Sequence, residues 1–372
     1  MTLYLGLMSG TSMDGIDAAL LEIGPTRMQL RAAVAREWPA ALQARLRRAA
    51  EDSEHIGLTE FGRLDTTVAL EFAQAAEQLL RATQVPASAV RAIGSHGQTV
   101  LHRPQGEAPF TLQIGDPNII AERLGIDVVA DFRRRDLAAG GEGAPLMPAF
   151  HAAAFGSTGE TRAVVNIGGI ANVTLLAADA SVIGFDTGPG NCLLDAWARA
   201  HLEKAYDAHG AWAASGSVDA PLLERLLAEP YFARLPPKST GRETFSDAWL
   251  QLALGVGGRS LAPANVQATL AQLTAATIAT ALCPAGGPVP QGLYVCGGGA
   301  FNADLLRRLG EALPQTRVAT TAECGIAAEH VEAAGFAWLA HRYLSGLPGN
   351  LPSVTGARHA VPLGALYRGG TL

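Results

Sequence analysis

The chain opens on short apolar runs that polar, glycine-containing turns separate, and helical periodicity begins only after the third run. Apolar runs of about 4–8 residues between turn residues predict buried strands, whereas apolar residues spaced three or four apart predict helices. The predicted strands are residues 3–8, 16–23, 28–38, 90–94, 110–114, 126–130, 163–167, 173–177, 182–185 and 292–296. The predicted helices are residues 40–51, 58–83, 147–155, 191–202, 220–232, 266–282, 302–313 and 327–344. This order of strands and helices predicts an α/β protein.

Two stretches of the chain repeat one arrangement, in which a strand enters a glycine-bearing turn and a second strand returns. Residues 3–23 form the first stretch and residues 163–177 form the second, which indicates an internal duplication. The glycine-rich segment at 138–145 has neither helical nor strand periodicity and is the best candidate for a domain boundary. We therefore predict an N-terminal domain at 1–137 and a C-terminal domain with helical insertions at 138–346. The Pro- and Gly-rich tail at 347–372 could pack back on the first domain.

The composition is typical of a globular protein of two domains. The 372 residues are 48% hydrophobic and 17% charged, and one domain has about 150 residues. The net charge of −6 is unlike that of a nucleic-acid-binding protein. An anion such as ATP would therefore be bound locally, by backbone N–H groups, Mg²⁺ and a few basic side chains. Scattered cysteines indicate a reducing compartment, and neither a signal peptide nor a membrane-spanning run is recognisable. We expect a cytoplasmic protein that binds neither nucleic acid nor membrane.

Clusters of glycine follow three of the predicted buried strands. The first lies in the loop from Gly10 to Asp17, which also carries two hydroxyls and two carboxylates; the others are at 168–169 and 297–299. Glycine lets a phosphate approach the backbone, and carboxylates beside a phosphate usually hold Mg²⁺. One such loop is equally well explained as a hairpin turn. Three of them at the carboxyl ends of strands favour a nucleotide site.

Motifs of several other enzyme classes are absent from the sequence. It contains no G-x-x-x-x-G-K-[ST] and no early G-x-G-x-x-G that opens a helix, which argues against a P-loop NTPase and a Rossmann dehydrogenase. It also lacks H-E-x-x-H and G-x-S-x-G, so nothing supports a metalloprotease or an α/β-hydrolase.

Asp186 is the candidate for acid–base chemistry. It ends a predicted strand and precedes Thr-Gly-Pro-Gly-Asn, so its carboxylate could face a ligand and accept a proton from an attacking hydroxyl or water. A turn-forming or helix-capping aspartate is the commoner alternative before Gly and Pro. The loop at 238–243 could clamp phosphate or sugar, or could simply be solvated. His96 and the arginines at 133–135 likewise leave structural and functional roles open.

Seven segments, in chain order, resemble the signature of the anhydro-N-acetylmuramic acid kinases. They are MSGTSMDGID at 8–17, GSHGQT at 94–99, DFRRRD at 131–136, NIGG at 166–169, GFDTGPGN at 184–191, PKSTGRE at 237–243 and CGGG at 296–299. These segments span nearly the whole chain at family-like spacing, so the resemblance is specific. The family belongs to the superfamily of acetate and sugar kinases, heat-shock chaperones and actin. The resemblance implies two ribonuclease-H-like (actin-like ATPase) domains that flank a nucleotide and sugar cleft.

The resemblance also implies a reaction and its setting. ATP and water would convert 1,6-anhydro-N-acetylmuramic acid to N-acetylmuramic acid 6-phosphate, with hydrolytic opening of the anhydro ring, in cell-wall recycling. Asp186 would activate the water that attacks the anomeric carbon, and the released bridging oxygen would attack the γ-phosphate. Mg²⁺ would offset charge on the phosphates. A homodimer is also expected.

Ligand contacts are carried over by the same resemblance, residue by residue. The phosphate loop for ATP would comprise Gly10, Thr11, Ser12, Met13, Asp14, Gly15, Ile16 and Asp17. A second phosphate contact would come from Gly168 and Gly169, and the adenosine contact from Gly297, Gly298 and Gly299. The candidate sugar contacts are Ser9, Gln98, Thr99, Arg133 and Glu332. Glu332 lies on the last predicted helix and would need a bent or closed arrangement to reach the cleft. The metal ligands are not assigned.

Two rival hypotheses keep the fold and change the function. One replaces the substrate by another hexose or amino sugar. The other makes the chain an actin-like or chaperone-like nucleotide switch, which would have a nucleotide cleft and a protein partner but no small-sugar site.

Overall fold

A computed structural model describes residues 1–25, 27–255, 260–283 and 289–370. Its strands are β1 (Thr2–Ser9), β2 (Gly15–Ile23), β3 (Met28–Glu37), β4 (Val90–Arg103), β5 (Phe110–Ile114), β6 (Val128–Ala130), β7 (Arg162–Ile167), β8 (Ile170–Leu176), β9 (Val182–Pro189), β10 (Gly292–Cys296), β11 (Arg317–Thr320) and β12 (Ala365–Tyr367). Its α-helices are α1 (Ala40–Glu51), α2 (Leu58–Thr83), α3 (Pro117–Leu124), α4 (Phe132–Ala138), α5 (Met147–Phe155), α6 (Cys192–Leu202), α7 (Ala211–Ser215), α8 (Ala220–Leu227), α9 (Pro230–Ala233), α10 (Asp247–Gly255), α11 (Pro263–Leu282), α12 (Ala303–Ala312), α13 (Val331–Leu344) and α14 (Pro352–Thr355).

The chain divides into two units. Unit 1 is Met1–Ala154 together with His330–Leu372, and unit 2 is Phe155–Glu329. The proposed boundary at 137/138 therefore precedes the one found here, and the proposed C-terminal domain ran too far, to 346. The C-terminal difference arises because α13 lies on β1 and β4 of unit 1. The tail also belongs to unit 1, where β12 pairs with β6.

Both units contain a sheet with the same strand order. In unit 1 the order is β3-β2-β1-β4-β6-β12, with β5 paired to β4 as a seventh strand, and in unit 2 the corresponding order is β9-β8-β7-β10-β11. Each sheet begins with three antiparallel strands that are consecutive in the chain, and the strand after them pairs with the first one in parallel. The duplicated strand–turn–strand pattern in the sequence is thus the start of each sheet. This order confirms the predicted α/β fold of two ribonuclease-H-like units.

Helix α13 approaches the unit 1 sheet so closely that only glycine fits beneath it. Gly6 of β1 and Gly94 of β4 are paired neighbours. A Cβ atom on Gly6 would overlap the carbonyl oxygen of Ala333, and one on Gly94 would overlap that of Phe336. On the opposite side of the sheet, α1 and α2 pack into a core around the fully buried Phe72.

Three local predictions are corrected by the structure. Residues 95–99, which the predicted strand at 90–94 left out, lie inside β4, because their backbone pairs with β1 and β5. Residues 131–136, predicted as a basic turn, begin helix α4. The predicted helix at 220–232 is two helices, since Pro230 starts α9.

No helix among residues 1–25, 27–255, 260–283 and 289–370 has both the length and the apolar character needed to cross a membrane.

Candidate active site

The β1–β2 hairpin of unit 1 carries the predicted phosphate loop. Its Gly10 carbonyl accepts a hydrogen bond from the Met13 N–H at 3.1 Å, and Met13 has a left-handed backbone with φ of 56°. The Met13 side chain is buried, and Gln43 donates to its carbonyl at 2.8 Å. Thr11, Ser12 and Asp14 are exposed. The loop therefore anchors itself through Met13 and presents its polar side chains to solvent.

The two glycines of this loop have different physical roles. A Cβ on Gly15 would lie 2.8 Å from the Arg36 carbonyl oxygen, so Gly15 is required for pairing with β3. A Cβ on Gly10 would meet only the Ser12 hydroxyl, at 3.7 Å. Gly10 therefore leaves open space beside its backbone, as a bound phosphate would require.

Three candidate sugar contacts lie on or beside this hairpin. The Ser9 hydroxyl is buried and donates to the Gly15 carbonyl at 2.6 Å, so it closes the loop. Gln98 is fully buried and its Nε2 donates to the Gly10 carbonyl at 3.1 Å. Its Oε1 accepts no hydrogen bond from the described residues. Thr99 accepts from Gln113 at 3.1 Å. A buried amide oxygen without a donor is costly, and a ligand could supply the donor.

Arg133 points inward from α4, whereas Arg134 and Arg135 are exposed. Its Nε donates to His96 Nε2 at 3.0 Å and its Nη1 to the Gly143 carbonyl at 2.9 Å. Burial lowers the pKa of Arg133 to about 10, and the charge of Glu332 opposes that shift. The side chain thus stays cationic at neutral pH. Burial, together with the Arg133 charge, lowers the pKa of His96 well below its ordinary value, so the imidazole is neutral and can accept this bond.

Glu332 lies in the first turn of α13, which packs on the unit 1 sheet. Burial raises its pKa, and the charge of Arg133 counteracts that shift. Glu332 and Arg133 both belong to unit 1, and each charge opposes the effect of burial on the other's pKa. That Glu332 needs a bent or closed arrangement to reach the cleft stays a prediction.

In unit 2, the Gly168–Gly169 turn is tied to the end of β9. The Gly168 carbonyl accepts from the Asn191 N–H at 2.8 Å, and the Gly169 carbonyl accepts from the Gly190 N–H at 2.9 Å. A Cβ on Gly168 would meet only the Ile170 carbonyl oxygen, at 3.6 Å. Gly168 is therefore the open position of this turn.

The third glycine cluster also contains one open position. Gly297 has a φ of +76°, and its Cβ would overlap the Asn166 amide oxygen. A Cβ on Gly299 would lie 2.5 Å from Ile167 Cβ. Gly298, by contrast, would meet only Asn191 Nδ2, at 3.6 Å. Gly297 and Gly299 are thus needed for the fold, and Gly298 leaves space for a ligand.

A cavity of about 330 Å³ lies beside Gly298 in unit 2. This volume is within the range of about 300–1,000 Å³ for small-molecule sites. Two aromatic side chains at the cavity are largely exposed, Tyr206 by 62% and Phe301 by 53%. Exposed aromatic rings beside a cavity can cover a planar base. No periodicity or motif in the sequence identified either ring.

Asp186 lies within β9, opposite Asn172 of β8, rather than at the end of a strand as predicted. The one hydrogen bond that its carboxylate accepts from the described residues comes from the Thr240 N–H, at 3.0 Å. Burial raises its pKa to about 6, and this hydrogen bond counteracts the shift. Its backbone is fixed by the Lys238 carbonyl at 3.2 Å and the Tyr231 hydroxyl at 2.7 Å. A rigidly held carboxylate with a pKa near 6 is suited to general base chemistry near neutral pH.

The loop at 238–243 joins Asp186 to the glycine turn. Thr240 contacts the Asp186 carboxylate, and the Arg242 guanidinium lies over Gly169, where an added Cβ would be 2.8 Å from its nitrogens. Arg242 is exposed and forms no hydrogen bond or ion pair with the residues that the structure describes. The loop at 238–243 was recognisable in the sequence by its motif. The contact between Arg242 and Gly169, by contrast, forms only in the folded chain.

Divalent metal binding by protein ligands alone is not indicated. Within the described ranges no three His, Cys, Asp or Glu side chains form a metal-binding group. Mg²⁺ commonly uses one or two carboxylates together with the oxygens of substrate phosphates. Asp14 is exposed, and the Asp17 carboxylate is partly exposed and lies 3.9 Å from His330 Nδ1.

The sequence model of the family described as "Anhydro-N-acetylmuramic acid kinase" matches residues 2–369. The chain belongs to the anhydro-N-acetylmuramic acid kinase family. A kinase of this name from Xanthomonas campestris pv. campestris is 53% identical over 368 residues, which cover 98% of this chain and 97% of that protein. One from Shewanella pealeana is 50% identical over 365 residues and covers 98% of each chain.

Among solved structures, an activator of 2-hydroxyisocaproyl-CoA dehydratase from Clostridium difficile is 11% identical, with a TM-score of 0.45. It covers 92% of this chain and 97% of its own. At these values nothing about function follows from the likeness.

Within the anhydro-N-acetylmuramic acid kinase fold, the structure groups the predicted residues in two sets. Unit 1 brings the Gly10–Asp17 loop to Gln98, and Arg133 to Glu332. Unit 2 brings the Gly168–Gly169 turn to Asn191, beside Gly298. Met13 and Ile16 are buried, so their side chains belong to the core rather than to a ligand surface.

Proposed function

We propose that this chain is an ATP-dependent kinase that converts 1,6-anhydro-N-acetylmuramic acid and water to N-acetylmuramic acid 6-phosphate. The family, matched over nearly the whole chain, supports the substrate and the phosphoryl transfer. The observation that carries the chemistry is Asp186, a half-buried carboxylate with a pKa raised to about 6 and a single backbone hydrogen bond. Cell-wall recycling and amino-sugar catabolism are the proposed setting.

Asp186 is proposed as the general base. It accepts a proton from water as the water oxygen bonds to the anomeric carbon. The bond between that carbon and the bridging oxygen breaks, and this oxygen, now O6, attacks the γ-phosphorus of ATP. The bond to the β–γ bridging oxygen breaks and ADP leaves; the proton on Asp186 is released to solvent. The Thr240 N–H would hold the carboxylate in place through these steps.

ATP is proposed to bind where the glycines leave open space. Among the glycines of the three predicted loops, Gly10, Gly168 and Gly298 are those at which a Cβ would meet no atom closer than 3.6 Å. Arg242 lies at the Gly169 turn without a carboxylate partner among the described residues, so a phosphate oxygen is a fitting partner for its guanidinium. The cavity beside Gly298, with Tyr206 and Phe301, is the proposed place of the base.

Mg²⁺ is proposed to be held by Asp14 and Asp17 with the phosphates, where it would neutralise negative charge. The sugar is assigned to Gln98, Thr99, Arg133 and Glu332. Ser9 is the weakest sugar candidate, because its hydroxyl already donates within the hairpin. A homodimer stays a prediction, which light scattering of the purified protein tests.

A panel of sugars tests the proposed function. ADP release would be measured with 1,6-anhydro-N-acetylmuramic acid, N-acetylglucosamine, N-acetylmuramic acid and glucose. We expect turnover with the anhydro sugar alone, and ¹⁸O from labelled water at the anomeric position of its product. Turnover with another sugar would identify a different sugar kinase, and ATP hydrolysis that no sugar stimulates would favour the nucleotide switch.

A further inference from the structure

The Arg133 guanidinium is held by two acceptors that lie far from it in the sequence. One is His96 Nε2, at 3.0 Å from Arg133 Nε, and the other is the Gly143 carbonyl, at 2.9 Å from Nη1. A guanidinium has five N–H donors. Two of these bonds therefore orient the group and leave the remaining donors for a ligand.

Gly143 is itself held by a buried carboxylate, which accepts from its N–H. Asp136, one turn after Arg133 on α4, has no exposed surface, and its Oδ2 accepts from the Gly143 N–H at 2.8 Å. The Gly141 N–H donates to the Asp136 carbonyl at 3.0 Å. A Cβ on Gly141 would overlap the Asp136 carboxylate. The loop at 140–143 thus wraps tightly around Asp136.

The other oxygen of Asp136 is bound by residues 350–358, which we call the C-terminal strap. Asn350 Nδ2 donates to Asp136 Oδ1 at 2.7 Å, and the Thr355 hydroxyl donates to the same oxygen at 2.8 Å. Both side chains are buried, with 3% and 2% of their surface exposed. The strap also contacts the loop directly, since the Glu142 N–H donates to the Thr355 carbonyl at 2.8 Å.

We propose that Asp136, Asn350 and Thr355 are positioning residues, through which the C-terminal strap sets the orientation of Arg133 for the sugar. The connection runs from the strap to Asp136, from Asp136 to Gly143, and from the Gly143 carbonyl to Arg133. This inference rests on the proposed function only in naming the sugar as the ligand of Arg133. A buried carboxylate with three donors is rigid, because the loss of any donor weakens the hydrogen bonding of an oxygen that water does not reach.

A second contact between the tail and this region supplies a matched control. The Tyr367 hydroxyl donates to Asp131 Oδ2 at 2.8 Å. It is the same kind of bond, from a tail hydroxyl to a carboxylate at the start of α4, but Asp131 does not hold Gly143. Tyr367→Phe therefore removes a bond between tail and helix without touching either acceptor of Arg133.

The test compares Thr355→Val, Thr355→Ser and Tyr367→Phe in the full-length protein. Valine keeps the shape of threonine and removes the donor, whereas serine keeps the donor. One readout is the ¹⁵N–¹H resonance of the Arg133 Nε–H, assigned with Arg133→Lys. The other is the KM for 1,6-anhydro-N-acetylmuramic acid beside the KM for ATP. Misplacing a substrate-positioning group by about 1 Å can cost about 10²-fold.

We expect Thr355→Val to shift the Arg133 resonance and to raise the sugar KM by about tenfold to a hundredfold, with the KM for ATP unchanged. Thr355→Ser and Tyr367→Phe should match the wild type in both readouts. An Arg133 resonance in Thr355→Val that matches the one in Tyr367→Phe would overturn the proposal. If the wild type turns over no sugar, the proposed function fails and the resonance alone decides this inference. Should Thr355→Val not fold, Thr355→Ala removes the same donor, and Asn350→Ala removes the other strap donor to Asp136 Oδ1.

Discussion

Asp186→Asn should inactivate the enzyme and stabilise its fold at the same time. Asparagine keeps the shape of the side chain and can still accept from the Thr240 N–H, but it has no basicity. In the folded chain burial raises the pKa of Asp186 to about 6, from an ordinary value of 3.8. The ionised carboxylate that catalysis requires is therefore the form that folding disfavours. Removing it should relieve this cost.

The magnitude and its pH dependence follow from the two pKa values. A difference of about two units corresponds to about 3 kcal/mol at most, and the remaining water contact of this half-buried group reduces it to about 1–3 kcal/mol. As the pH rises from 3.8 to about 6, the unfolded chain loses the proton before the folded chain does, so wild-type stability falls. Above pH 6 the whole cost is present. Asp186→Asn has no ionisable group at this position, so its folded state does not incur this free-energy cost at any pH.

Chemical denaturation between pH 4 and pH 8, together with steady-state kinetics, measures both effects. Asp186→Asn should be more stable than the wild type by about 1–3 kcal/mol at pH 7–8, with the gain disappearing near pH 4. Its turnover should fall by about 10²–10⁴, the usual contribution of a general base. Wild-type kcat should rise with pH around an apparent pKa near 6. A variant that is less stable at pH 8 and keeps more than about a tenth of the turnover would show that Asp186 is a turn residue.

Three further predictions separate structural from ligand-binding positions. Gly10→Val should leave thermal unfolding nearly unchanged and abolish ATP binding in calorimetry, whereas Gly15→Ala should lower stability by about 1–3 kcal/mol because its Cβ meets the neighbouring strand. Gly6→Ala should cost at least about 3 kcal/mol, seen as loss of soluble protein or a large fall in Tm, because α13 cannot move away. Arg242→Gln should weaken binding of a non-hydrolysable ATP analogue by about tenfold or more relative to ADP. Arg234→Gln is the control: it removes a nearby charge that lies over the Tyr231 ring, and it should not weaken this binding. Equal losses in both arginine variants would indicate a general charge effect.

Local pattern was sufficient for elements whose apolar spacing is regular. Helices α1 and α2 and strands β5 and β10 have the predicted bounds, because each has a clear period and ends at turn residues. The segment at 95–99 was not recognisable as a strand, since its Ser, His, Gly and Gln are typical of turns. It forms one because β1 and β5 pair with it, with Gly97 adopting a φ of +72°. Pairing partners that are distant in the chain leave no mark on local periodicity.

The candidate site shows the same limit at the level of side chains. Nothing in the run of three arginines identifies Arg133 as the one that points inward; that depends on His96 and Gly143, which folding brings to it. The place of Glu332 depends on two glycines, Gly6 and Gly94, that precede it by more than two hundred residues and let α13 approach the sheet. The family motifs identified these residues as candidates. Their positions and contacts depend on packing between residues that are distant in the chain.

The glycine clusters make clear why a motif alone does not identify a binding surface. In the first loop Gly10 is open while Gly15 is confined by β3, and in the third Gly298 is open while Gly297 and Gly299 are confined. A confined glycine is required for folding whether or not a ligand binds. An open glycine has no such requirement, since alanine would fit there without a clash. The fold therefore accounts for the confined positions, whereas at the open ones in these loops ligand binding is the proposed reason for glycine.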